Sequence, residues 1–230
     1  MHVLDDPQDL SPRAQAFLLR AASRQPQRPR LPTDFLGLQD RSGRSIAAPL
    51  ELVVRREIFA TRFGGLTYDV RRCVRVGNER LDSLRGWRFE LCDAIRAERK
   101  GWSFAWYGEH VSSPVSYLVH TDGRFGVSAG GPFLEVCPSI NHLIEGHALM
   151  DELHDWEPVP PTSLEAWVPG DMTNAHLGEL LETLPPVSEA SGPCDRWWRS
   201  DDLAIRVFDG WTDSRLRPTG VMLWSRDGRI

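Results

Sequence analysis

The chain has 230 residues, a formal net charge of −5 and a 41% apolar share. At roughly 100–200 residues per domain this is one large domain, or one domain with an appendage, with enough apolar material for a sizeable core. No apolar run approaches the ~20 residues of a membrane helix, and the acidic start MHVLDDPQDL lacks the basic-then-apolar order of a signal peptide, so a soluble, cytoplasmic protein is expected.

Taken in chain order, LSPRAQAFLLRAA offers Ser11 as a helix cap and Pro12 at the first helical position, followed by an apolar stripe of Ala14, Phe17, Leu18, Ala21 and Ala22. SRQPQRPRLPTD cannot stay helical and reads as an extended strap. APLELVVRREIFATRF predicts a second helix, with Leu50, Val53, Val54 and Ile58 as its core stripe. It runs into Gly64-Gly65, after which Leu66, Tyr68 and Val70 alternate with Thr67, Asp69 and Arg71 as in a strand. A phosphate-cradling loop needs strand, glycines, then helix. Here the order is reversed, so the glycines are expected only to turn the backbone.

GWSFAWYG alternates Trp102, Phe104 and Trp106, and VSYLVHTDGRFGVS reads as a hairpin about Asp122-Gly123. GGPFLEVCPS adds a strand, and Ser139 caps a helix with Ile140, Leu143 and Ile144 on its stripe. EPVPPTS at 157–163 is a Pro-rich break. Beyond it a helix (Leu177, Leu180, Leu181, Leu184), a hairpin turning near Asp201-Asp202 and a last strand, GVMLWSR, repeat the theme. Trp197 and Trp198 must point to opposite faces if extended, so one of them is a candidate exposed anchor. Strands joined by tight turns, with helices before and after, predict an α+β fold built on a mainly antiparallel twisted sheet. The expected organisation is an N-terminal helix and strap at 1–30, a core at 31–156, and a C-terminal helix with antiparallel strands at 157–230.

Charge is unevenly placed. Residues 1–100 carry 19 basic and 13 acidic side chains, residues 101–230 carry 8 and 19, and Arg124 is the only Lys or Arg within 101–170. Such an acidic half repels nucleic acid and suits a basic protein partner. Glu109, Asp151, Glu152, Asp155 and Glu157 are the candidate contact residues.

No catalytic, cofactor or metal constellation emerges. In HLIEGH, His142 and His147 stand five residues apart, about 140° around a helix rather than on one face. Cys73, Cys92, Cys137 and Cys194 form no CxxC and are expected to be reduced and mostly buried. A hydrolase using His110, His120 or His142 with a nearby carboxylate is the enzymatic alternative.

The helix running into the glycine corner, LVVRREIFATRFGGLTY, and the closing pattern PVSYLVHTDGRFGVSAGGPFLEVCPSINHLI resemble the SUKH superfamily. The resemblance covers roughly residues 30–155. It implies a binding domain without catalytic residues: an intracellular immunity protein that neutralises a cognate bacterial toxin of nuclease or deaminase type. An intracellular regulatory scaffold is the alternative within the same class. With an acidic contact surface, association is expected to slow as salt rises.

Overall fold

The computed structural model describes residues 1–27, 32–76, 79–110, 115–159, 175–209 and 219–227. The Pro/Arg-rich stretch at 28–31 and the Pro-rich break from 160 onward lie outside these residues, as does the side chain of Leu177.

Helix α1 (Pro12–Ala21) starts as its sequence requires. The Ser11 hydroxyl accepts from the Ala14 N–H at 3.2 Å, and Pro12 fills a position whose N–H would have no helical partner. Ala14, Phe17 and Leu18 face the core. The expected strap begins instead as a short edge strand, β1 (Ala22–Arg24), antiparallel to β4 (Leu66–Val76). A small hairpin, β2 (Leu38–Gln39) and β3 (Ser45–Ile46), follows.

Helix α2 (Leu50–Phe63) is present but turned relative to its predicted stripe. Leu52, Arg56, Phe59, Ala60 and Phe63 are buried, while Leu50, Val54 and Ile58 are 75%, 46% and 47% exposed. The aromatic residues decide the rotation: Phe59 packs on Phe104 and Trp106, and Phe63 on Phe89. Arg56 can share the buried face because Thr33 Oγ1 and the Cys92 carbonyl accept from its guanidinium, which lies over the Phe104 ring.

The glycine corner turns the chain from α2 into β4. Gly64 N–H closes the helix on the Ala60 carbonyl, and Gly65 takes φ +82°, a left-handed conformation that side chains resist. Gly65 N–H donates to the Phe89 carbonyl while its own carbonyl accepts from Gln25 N–H. A Cβ on Gly65 would stand 2.2 Å from the Gln25 carbonyl oxygen.

The main sheet has seven antiparallel strands in the order β1-β4-β5-β6-β7-β8-β9, with β5 Glu79–Ala97, β6 Trp102–Glu109, β7 Ser116–His120, β8 Phe125–Ser128 and β9 Leu134–Cys137. The hairpin about Asp122-Gly123 joins β7 and β8. Register shifts in the 19-residue β5 break its ladder with β6 between Arg88 and Ile95. Tyr68, Trp87, Phe89, Phe104, Trp106, Tyr117 and Phe125 build the aromatic core on the sheet side that carries α1, α2 and α3 (Ile140–Glu152). The fold is α+β.

A second sheet runs β10-β13-β12-β11, with β10 Glu157–Val159, β11 Asp195–Arg199, β12 Leu203–Asp209 and β13 Thr219–Ser225. Strand alternation sends Trp197, Ala204 and Trp224 into the main core. Ile205, Val207 and Leu223 form a second cluster with Leu180, Leu181 and Leu184 from α4 (Ala175–Thr183) and the residue just after it. Trp197 and Trp198 do point to opposite faces, but neither is an exposed anchor: Trp197 stacks on Trp224, and Trp198 packs against the second cluster.

Candidate functional site

Each carboxylate picked out from the sequence has an arginine partner; Asp151 and Glu109 are buried or nearly so, while Glu152, Asp155 and Glu157 stay partly exposed. Asp151 is buried on α3, with Arg20 and Arg71 as ion-pair partners, and its Oδ1 also accepts from the Arg71 main-chain N–H at 3.0 Å. Arg71 reaches on to Asp155, which is 68% exposed and also bonded to His154; those contacts hold its carboxyl below the usual range. Glu152 grips Arg199 through both oxygens at 2.6 and 2.7 Å. Glu157 pairs with Arg75 and Arg80. Glu109 is nearly buried between Arg72 and Arg85, and the Tyr117 hydroxyl donates to it at 3.4 Å.

Four of these five are therefore neutralised by arginines from the first hundred residues, and Glu152 by Arg199. The uneven charge along the chain is thus partly offset in space at these five positions. Individually such pairs add little stability where they are exposed, but each sets a positive charge beside a carboxylate that sequence position alone leaves unpaired.

His120, His142 and His147 are likewise engaged, while His110 lies just after β6 with its main-chain N–H on the Gly86 carbonyl. His142 Nδ1 lies 2.9 Å from the Ser139 hydroxyl. Buried Glu145 accepts from the N–H and the hydroxyl of Ser11, both at 2.6 Å, and from Arg13, so it anchors α1 to α3. His147 is buried against Trp87, with Nδ1 2.8 Å from the Tyr68 hydroxyl, and burial pushes its pKa well below 6.5. The three polar residues of HLIEGH thus serve three different packing contacts. His120 lies 2.8 Å from Asp122, the one histidine–carboxylate pair on a groove among His110, His120 and His142. Its Nε2–H, however, donates to the Lys100 carbonyl at 2.6 Å, which occupies the nitrogen a general base would use. Cys73, Cys137 and Cys194 are buried free thiols, and Cys92 is partly buried.

An apolar row also stays uncovered on α2. Leu50, Val54 and Ile58 recur every four residues on the outer side of α2. Val54 and Ile58 also line an open groove of about 670 Å³ together with Met1 and Ile140, and Arg55, Glu57, Arg62 and Asp9 supply charge there. Periodicity alone places that apolar row in the core. The available signal was that α2 has more apolar positions than one face can hold, so that Leu52, Phe59 and Phe63 compete with Leu50, Val54 and Ile58.

No helix among the described residues is long and apolar enough to cross a membrane. No family model, no curated protein and no solved structure matches this chain.

Proposed function

We propose that this chain is a non-catalytic protein-binding domain that seats its partner on the outer face of α2 and in the groove beside it. The exposed row Leu50, Val54 and Ile58 above that groove carries the reading. A contiguous apolar row bordered by charge is the usual anatomy of a protein contact, with aliphatic anchors at the centre and polar groups at the rim. The partner class is the one the SUKH resemblance implies, a cognate bacterial toxin. The paired state of Asp151, Glu152 and Glu109 moves the proposed contact away from the carboxylates and onto this helix.

Val54→Asp and Ile58→Asp place a charge at the centre of the row without touching the core. Each variant should melt like the parent yet fail to retain the partner captured from the native host, and should fail to relieve that partner's toxicity on co-expression. Capture and neutralisation undiminished in both variants would refute the α2 surface. A captured protein without toxicity would refute the toxin reading and leave the surface standing.

A further inference from the structure

Most arginines of the described chain meet a carboxylate. Four cations that do not come together on one open groove of about 590 Å³: Arg41, Arg96, Arg99 and Lys100. Three separate devices place them, one at the side chain of Arg96 and two at the backbone of the others. Arg41 sits in the turn between β2 and β3, fixed by Asp40 Oδ1, which accepts from the N–H groups of Ser42 and Arg44 at 2.8 and 3.0 Å. The partly buried Arg96, at the end of β5, donates to Ser128 Oγ and the Gly131 carbonyl at 2.6 and 2.8 Å. Both acceptors are neutral, so the guanidinium is held in place with its charge uncompensated. Arg99 and Lys100 form the tip of the β5–β6 hairpin, closed by Glu98 N–H on the Gly101 carbonyl and tied to β7 by the His120 bond to the Lys100 carbonyl.

Negative charge in the groove is sparse. Glu98 is its one lining carboxylate and accepts from Ser103 Oγ at 2.6 Å. Arg124 also lines the groove, but Asp122 and Glu135 neutralise it. Asp40 and Asp93 line the adjoining groove, where Arg44 pairs with Asp40. Four like charges around one opening, that of Arg96 held in place, repel one another, and a polyvalent anion relieves that repulsion. The volume matches a nucleotide-sized ligand rather than a single ion. Arginine forks and a compact ammonium are the groups that grip phosphate oxygens.

We propose that this groove binds a small polyphosphate, either free or as the di- or triphosphate of a nucleotide. The site is independent of the α2 surface.

Lys100 is the chain's only lysine, so its amine is a built-in probe. Acetylation of the full-length protein in 150 mM NaCl is followed by mass spectrometry, with the terminal amine of Met1 as internal reference. Tripolyphosphate or ATP at 1 mM should slow Lys100 acetylation at least about fivefold, while sulfate at matched ionic strength should not. Protection by both shows that the phosphate chain suffices; protection by ATP alone shows that the nucleoside is read as well. Lys100 protection should fall below about twofold in Arg99→Ala, an exposed tip position, and in Arg96→Gln, which keeps a donor for Ser128. No protection of the parent, equal protection by sulfate, undiminished protection in both variants, or protection by a single-stranded oligonucleotide but by neither small ligand would each overturn the proposal.

Discussion

Gly65 and His147 show how much a single position can decide. At Gly65, a methyl group would have to share space with the Gln25 carbonyl while the backbone stays at φ +82°. Gly65→Ala is therefore expected to destabilise the fold by about 2 kcal/mol or more, read as a lower urea midpoint at unchanged slope. His147 is neutral in its buried site, whereas in the unfolded chain it titrates near 6.5. Its folded-state pKa lies below the unfolded value, so the unfolded chain takes up the proton first and stability falls as pH drops below about 6.5. Relative to His147→Gln, the parent should lose about 1.4 kcal/mol for each pH unit below that point, until the folded protein itself is protonated. A flat difference between pH 7 and pH 5 would contradict the buried neutral imidazole. His147 was visible in the sequence, but its bond to Tyr68 was not, because 79 residues separate the two.

Among the elements, α2 carries the plainest lesson. Its existence and its end at the glycines were legible from composition and period, as was the Ser11-Pro12 start of α1. Its rotation was not, because Leu50, Val54 and Ile58 satisfy a helical stripe as well as Leu52, Phe59 and Phe63 do. Periodicity gives the angle between apolar rows but not which row meets the sheet. The aromatic partners Phe89, Phe104 and Trp106 settle that, and they lie in strands distant in sequence. Two substitutions on this one helix should separate sharply. Leu52→Ala empties a fully buried site and should cost about 2–5 kcal/mol, while Leu50→Ala should change stability by no more than about 0.5 kcal/mol. Thermal or urea unfolding of the two variants checks the assignment of faces.

For the whole molecule, the largest gap between sequence and structure is electrostatic. Counting charges by segment suggested an acidic half, yet Arg20, Arg71, Arg75 and Arg80 fold back onto Asp151, Asp155 and Glu157. The α+β class survived because alternation and turn signals are local, whereas charge pairing is a long-range property that no window reveals. The same pairing changes the expected kinetics. On the proposed α2 contact, with these carboxylates paired, the association rate with a partner should vary by less than about threefold between 0.05 and 0.5 M salt. Stopped-flow or surface-binding traces across that range test it, and a steep decline would return weight to the acidic residues. The C-terminal sheet adds Trp197, Ala204 and Trp224 to the main core, so the described strands beyond 157 share one interior with the rest.

Strand β1 covers only the first three residues of β4, Leu66 to Tyr68. Further along that margin the Asp151 carboxylate receives the amide of Arg71, where a neighbouring polypeptide could otherwise lay down its own carbonyl. An acidic side chain thus occupies a β4 amide beyond the reach of β1, and the Trp224 indole takes the Cys73 carbonyl further on, so neither group is offered to an intruding chain as a template for fibrous growth.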